Sequence, residues 1–256
     1  MRIVRLIHKA FFRARGSYPA RLGGKAVRVD PDHMGFWQAT TSNTWEPDML
    51  RVLARYLTPQ TIYYDIGAWI GPTALYAAGF CKKVVCFEPD PVAYQYLLWN
   101  LRLNAARNIL PLNIALADRD SAMPMSSMGV LGDSMATLLT SEARPATAEV
   151  LALSWKTWLN LGIAEEPDFM KIDIEGSEFS LLPTLNDYLQ AHKPTLFLST
   201  HTPFLEAHQR VEEMTKVLNV MALYKKCLND KLEPVDPHSL LSDEALAQFH
   251  SFVLED

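Results

Sequence analysis

Ile62-Tyr63-Tyr64-Asp65-Ile66-Gly67-Ala68-Trp69-Ile70-Gly71-Pro72-Thr73 is the stretch on which the reading of this chain turns. An apolar, β-branched and aromatic run ends in an acid, passes two glycines, and enters a segment with helical spacing at Pro72-Thr73-Ala74-Leu75-Tyr76. That order predicts a strand, a tight turn and a helix. Glycine opens backbone angles closed to other residues and lets a ligand lie against the main chain. Proline after Gly71 suits a helix entry, because the N–H it lacks would have no partner there. The spacing is G-x-x-x-G, whereas a pyrophosphate on a helix N-terminus calls for G-x-G-x-x-G, so a dinucleotide fits poorly.

One helix later, Val84-Val85-Cys86-Phe87 runs apolar into Glu88, and Asp90-Pro91 supplies an N-cap and first-turn proline for a helix through Val92, Tyr96, Trp99 and Leu103. An acid at the tip of the second strand of a βαβ unit suits a ribose, whose hydroxyl pair donates two hydrogen bonds to one carboxylate. Phosphate there would be repelled. The plainer readings are turn glycines at 67 and 71 and a solvated strand-end acid at 88. Their spacing, which brings both features to the carboxyl edge of adjacent strands, favours a site.

Four motifs, Asp65-Ile-Gly-Ala-Trp-Ile-Gly71, Phe87-Glu-Pro-Asp-Pro91, Asn113-Ile-Ala-Leu-Ala-Asp118 and Met170-Lys-Ile-Asp-Ile-Glu-Gly-Ser-Glu178, resemble the successive motifs of FkbM-type S-adenosylmethionine-dependent methyltransferases. The likeness covers roughly residues 45 to 205, and K-I-D-I-E-G-x-E is its most specific part. It implies an α/β, Rossmann-like class I methyltransferase fold: a mostly parallel seven-stranded sheet with an antiparallel edge strand, preceded by an N-terminal extension. It also implies S-adenosylmethionine as cofactor, with Asp65, Gly67, Ala68 and Gly71 cradling its methionine end, Glu88 on the ribose, and Ala115 and Asp118 beside the base. Trp69 departs from the pattern, standing where such proteins commonly carry asparagine.

With 256 residues, 49% of them hydrophobic, the chain suffices for one large α/β domain and is short for two. A net charge of −5 gives no electrostatic reason to expect nucleic acid, whose binding rests on many cations. Cys81, Cys86 and Cys227 show no metal-ligand spacing, and no metal is expected from the sequence. They read as reduced thiols of a cytoplasmic protein.

The expected organisation is an N-terminal helix and cap over residues 1–60 and the cofactor-binding domain over 61–256. Residues 1–15 set Ile3, Ile7, Ala10 and Phe11 on one helical face with most of the basic residues elsewhere. The preferred reading is a helix packed on the domain or on a second subunit, as in a homo-oligomer. Contact with an anionic membrane surface is the lesser alternative. Lys25–Asp30 alternates like a short strand or hairpin within an otherwise irregular cap, and Thr44 is positioned to cap a helix beginning near Pro47. Asn108–Ala117 reads as a third strand.

Residues 119–148 lack periodicity and carry Met123, Met125, Met128 and Met135 with Gly129 and Gly132. So long a stretch in a compact domain reads as a lid or acceptor-binding insert, because methionine adapts to irregular apolar surfaces. A strand and an apolar-faced helix with Trp155 and Trp158 follow. Later expectations are a helix over Leu205–Val217, a strand around Val220–Tyr224, a short helix after Ser242 and a last strand near Phe249–Leu254.

Pro167–Gly176 reads as another buried strand interrupted by charges, which is costly unless they are satisfied. Lys171, Asp173, Glu175 and Glu178 gather where it meets a helix, at the edge where open α/β folds bind ligands. The next strand delivers Ser199 and His201 to the same edge. Methyl transfer from a sulfonium to a hydroxyl needs near-attack geometry and, for a poor nucleophile, a base. Asp173 and His201 are both candidates for that base, with Glu175 lining the catalytic edge. The resemblance implies O-methylation of a sugar, glycan or secondary-metabolite hydroxyl. Two rivals are a nicotinamide dehydrogenase, for which the glycine pattern is wrong, and a non-catalytic Rossmann-like protein using the N-terminal helix and insert to bind a partner or membrane.

Overall fold

The computed structural model describes residues 2–127, 130–140, 145 and 147–256, with side chains of the first helix from Ile7 onward. The expectations for Met128, Gly129 and the Ile3 side chain lie outside the described residues.

The chain opens with α1 (Arg2–Arg15), the hairpin β1 (Tyr18–Leu22) and β2 (Lys25–Val29), α2 (Met34–Thr41) and α3 (Pro47–Tyr56). The alternation at Lys25–Val29 does form a strand, paired antiparallel with β1. Two expectations for the cap are corrected. It contains a further helix, α2, and α3 is not capped by Thr44: its N-cap is Glu46, in a left-handed conformation (φ 36°) without a side-chain cap. Thr44 Oγ1 donates to Ala39 O instead.

The cap shares one apolar cluster with the domain, in which Trp37 and Leu53 lie among Tyr63, Ala74, Val84 and Phe197. Asp30 and Asn100 lock it to the domain. Asp30 N–H donates to Asn100 Oδ1 (2.7 Å), while Asn100 Nδ2 donates to Asp30 Oδ2 (3.1 Å) and to Ile70 O (3.0 Å), inside the glycine turn. On α1, Lys9 and Arg13 pair with Asp32 and Phe12 packs edge-on to Tyr18, whereas Ile7 and Phe11 are exposed.

The domain proper runs β3 (Ile62–Ile66), α4 (Pro72–Ala77), β4 (Lys83–Phe87), α5 (Pro91–Leu103), β5 (Ile109–Leu112), β6 (Ala115–Ala117), β7 (Ser121–Met125), β8 (Ala148–Ser154), α6 (Trp155–Asn160), β9 (Phe169–Ile172), α7 (Glu178–Leu181), α8 (Asn186–His192), β10 (Thr195–Thr200), α9 (Arg210–Met221), β11 (Lys226–Asn229), α10 (Asp243–Leu246) and β12 (His250–Glu255). Seven strands form the main sheet in the order β11-β12-β10-β9-β3-β4-β5, with a second sheet of order β6-β8-β7 beside it. The neighbours from β10 through β9, β3 and β4 to β5 are parallel. β12 runs antiparallel to both β10 and β11. This is the Rossmann-like arrangement expected, with one adjustment: the antiparallel strand lies inside the edge, and β11 is the edge.

β3 is buried along its whole length, as its continuous apolar run requires. Two strand assignments are corrected. Asn108–Ala117 is not one strand, because the chain leaves the main sheet after Leu112 and Ala115–Ala117 pairs with β8. Val220–Tyr224 is not a strand, because α9 runs on to Met221, burying Met214, Val217, Val220 and Met221 at helical spacing, and the strand begins at Lys226. Within the insert, β7 pairs antiparallel with β8, and Ser126 bridges Thr137. Among the described residues no helix is long and apolar enough to cross a membrane.

Candidate active site

The turn after β3 is fixed by backbone bonds. Gly67 and Ala68 N–H both donate to Phe87 O (3.0 and 3.1 Å), drawing the turn onto the neighbouring strand. Gly67 has φ +87°, and a Cβ there would lie 1.9 Å from Asp173 O, so no side chain fits. Trp69 also takes a positive φ, of 48°.

Glu88, at the tip of β4, is only 5% exposed. It accepts Trp69 N–H at Oε2 (2.7 Å) and Asp90 N–H at Oε1 (2.8 Å). Burial nevertheless pushes its carboxyl up to about 7. Asp90 caps α5 through the N–H groups of Val92 and Ala93, and its other oxygen accepts Gly132 N–H (2.6 Å). Trp69 Nε1 donates to Gly132 O (2.9 Å). The side chain that departs from the family pattern thus ties the insert to the glycine turn.

These elements surround a narrow cavity of about 50 Å³. Its wall includes Gly67, Glu88 and Ala115, with Asp133 and Thr137 from the insert. Ligand pockets commonly span ~300–1,000 Å³, so this cavity is narrow for a nucleoside-sized ligand. Four other expected cofactor residues stand back from that wall. Asp65 is fully buried behind the turn, accepting the Thr73 hydroxyl and pairing with Lys171 Nζ (3.2 Å). Ala68 is buried in the core. Gly71 heads α4, with Leu97 against the place a Cβ would take. Asp118 lies on the surface, paired with Arg119 (2.9 Å). The local motif correctly brought Asp65 and Gly71 to this edge, but their side of the turn faces the protein interior.

A second cavity, of about 280 Å³, shares Asp173 and Glu175 with the first and adds Glu46, His201, Phe204 and Phe249. Lys171, 3% exposed, spans the two regions: Nζ donates to Gly67 O (3.0 Å) and pairs with Asp65 and with Asp173 (3.4 Å). Burial works against its charge, but Asp65 and Asp173 more than offset this and raise it above the ordinary lysine range. His201 joins the carboxylates. Its Nδ1 is 3.1 Å from Glu178 Oε1, and its Nε2 is 3.5 Å from both Asp173 Oδ1 and Glu175 Oε2. Burial opposes the imidazolium, but the bond to Glu178 and the three carboxylates push it up to about 9. Burial pushes Glu175 up to about 7, with His201 pulling it back. Glu175 also holds a left-handed φ of 54°.

Glu178 itself is fully buried and accepts the backbone N–H of His201 (2.7 Å) and of Gly176 (2.8 Å). The insert reaches this side as well: Thr137 and Leu138 bond Ser177 Oγ at 3.1 Å. Sequence reasoning named Asp173, Glu175 and His201 but had no signal for Glu46, Thr137 or Asp133, which come from a cap and a loop without periodic pattern.

Residues 65–230 match the model of the methyltransferase FkbM domain. The chain belongs to that family. As throughout the family, S-adenosylmethionine is the cofactor. Among similar proteins is the hexuronic acid methyltransferase AglP of Haloferax volcanii, 22% identical over 176 residues, or 68% of each chain. The crystal structure of methyltransferase FkbM from Methylobacillus flagellatus superposes with a TM-score of 0.50 at 19% identity, covering 77% of this chain and 44% of that one. This chain therefore spans less than half of that protein. M. jannaschii TYW2 in complex with AdoMet gives a TM-score of 0.48 at 12% identity, over 94% of this chain and 84% of the other.

The residues present suit the cofactor. Gly67 and Glu88 both line the first cavity, the one with bare backbone and the other with a buried carboxylate whose oxygens can accept a hydroxyl pair.

Proposed function

We propose that this methyltransferase is an O-methyltransferase acting on a hydroxyl of a sugar, a glycan or a secondary metabolite. The observation that carries the reading is that Asp173 and Glu175 border both cavities, with aromatic side chains on the far wall. Phe204 and Phe249 stand 5.3 Å apart edge to face, and Phe204 stacks on His201 at 5.6 Å. Aromatic faces beside carboxylates match a sugar ring, which offers an apolar face and hydroxyl pairs. The similarity to a hexuronic acid methyltransferase is consistent with that class.

When bound, the cofactor supplies an electrophilic methyl group on a sulfonium. The chain's own work is positioning. Gly67 lines the cofactor cavity with bare backbone and Glu88 holds the ribose, while Asp173 and Glu175 hold the acceptor hydroxyl and receive its proton, oriented by His201. Holding two reactants in near-attack geometry is worth up to about 7–11 kcal/mol in favourable systems.

The test is to incubate the protein with S-adenosylmethionine and a panel of hexoses, uronic acids and glycans, reading methyl transfer by mass spectrometry. An O-methylated sugar is expected. Asp173→Asn should slow turnover roughly 10²- to 10⁴-fold with S-adenosylhomocysteine still bound. Transfer only to nitrogen acceptors would overturn the O-methyl assignment, and unchanged turnover in the Asp173→Asn, His201→Asn double variant would overturn the roles of those residues.

A further inference from the structure

We propose that Asp173, Glu175 and His201 form a binding site for one divalent cation of the manganese or magnesium class, at the seam of the two cavities. The proposal rests on the methyltransferase reading only for the ion's role, which is to hold and polarise the acceptor hydroxyl.

Three ligand atoms, one from each side chain, lie within 4.8 Å of one another. The separations of His201 Nε2 from Asp173 Oδ1 and Glu175 Oε2, 3.5 Å each, exceed the ~2.7–2.9 Å of a charge-assisted hydrogen bond. Donors sharing one ion at ~2.0–2.2 Å stand roughly 3.0–3.5 Å apart. The two histidine–carboxylate separations are therefore those of ligands around a common centre.

The histidine carries its own support. Its side chain is 10% exposed, and Glu178, fully buried, faces Nδ1 while accepting two backbone N–H groups. Glu178, an acceptor-only carboxylate, holds the Nδ1–H and turns Nε2 toward Asp173 and Glu175, where a bound cation would take the place of the Nε2 proton. A carboxylate behind a histidine is the usual outer support of a metal ligand.

Charge and conformation agree. Asp65 and Asp173 pair with Lys171 while Glu175 and Glu178 pair with His201, and Lys171 is the one lysine or arginine paired with any of the four among the described residues. Carboxylates at such low exposure are costly unless compensated, and a divalent ion would supply the missing charge. Glu175 holds a strained left-handed backbone, and in that conformation its carboxylate faces His201. Two carboxylates and one imidazole suit manganese or magnesium better than a thiolate-seeking metal. Three protein ligands leave coordination positions toward the 280 Å³ cavity, where a hydroxyl pair of the acceptor would bind and ionise more readily.

The experiment titrates Mn²⁺ into the tag-free chain of residues 1–256 and follows loss of the free-ion signal by electron paramagnetic resonance. Glu175→Gln and His201→Asn are run in parallel with circular dichroism as the fold check, and S-adenosylhomocysteine binding is measured by calorimetry on the same samples. One ion per wild-type chain is expected, with affinity at least tenfold weaker in each variant. Failure of the wild type to take up one Mn²⁺ overturns the proposal, as does wild-type affinity in both folded variants. Homocysteine-ligand binding without Mn²⁺ uptake would sink the metal site and leave the methyltransferase reading standing. Mn²⁺ uptake without ligand binding would do the reverse.

Discussion

At the tip of β4 the acid is answered by backbone, whereas at the tips of β9 and β10 the acids gather around the side chains of Lys171 and His201. Glu88 takes the N–H groups of Asp90, two residues on, and of Trp69, in the turn after the neighbouring strand. Asp173 and Glu175 depend on Lys171 and on His201, which arrives from another strand, and Glu178 meets His201 through both its ring and its backbone N–H. The donor side is thus specified by local spacing and changes little when distant residues change. The acceptor side is a balance of charges that a single substitution can upset. Lys171 is where the two meet, since it touches Gly67 O, Asp65 and Asp173 at once.

The largest effect is therefore expected from Lys171→Met. It leaves Asp65 as a buried charge without its cation, and breaking a buried pair on one side costs about 3–5 kcal/mol. For a chain of this length that corresponds to a fall in Tm of roughly 10 °C. Calorimetric melting checks it. A fall below about 2 °C would show that the two regions are not coupled through this lysine.

That dependence on distant partners explains which parts of the molecule were legible beforehand. Gly67, Glu88 and the capped α5 follow from residues adjacent in the chain, so motif spacing found them. Asp173 and His201 were found as strand-tip residues, but their convergence with Glu46 needs the register of β9 beside β10, which no short window contains. The Val220–Tyr224 stretch misled because an apolar run of that length reads equally as strand or helix end; packing of Met214, Val217, Val220 and Met221 decided for the helix. The path of the insert was illegible for another reason. Its position is set by the Ser126–Thr137 bridge, by Ser177 and by the Trp69 indole, all long-range bonds made by residues with no periodic pattern.

A medium-sized effect sharpens the donor half of the comparison through pH. Burial raises Glu88 to about 7, above its ordinary value of 4.5. An acid whose folded value is raised binds extra protons in the native state, so its contribution to stability is greatest at low pH and falls as pH rises from 4.5 through 7. Ligand binding runs the other way: only the carboxylate accepts both hydrogens of a ribose hydroxyl pair. Affinity for S-adenosylhomocysteine should rise roughly tenfold between pH 6 and pH 8 as Glu88 ionises. Glu88→Gln should bind weakly at both values and lose the slope. A flat profile in the wild type would place the ribose elsewhere.

The smallest effect is expected at Asp118, and it tests how far the family pattern carries onto this chain. The resemblance sets Asp118 beside the adenine, whereas the structure turns its carboxylate outward to Arg119, with the two side chains 36% and 62% exposed. Exposed pairs of this kind contribute about 0–1 kcal/mol. Asp118→Ala should therefore leave Tm within about 1 °C and S-adenosylhomocysteine affinity within about twofold, as read by calorimetry. A tenfold loss of affinity with unchanged Tm would mean that Asp118 turns inward when the ligand binds. The division between a locally built donor side and a remotely assembled acceptor side would then fail at the one place where the insert begins.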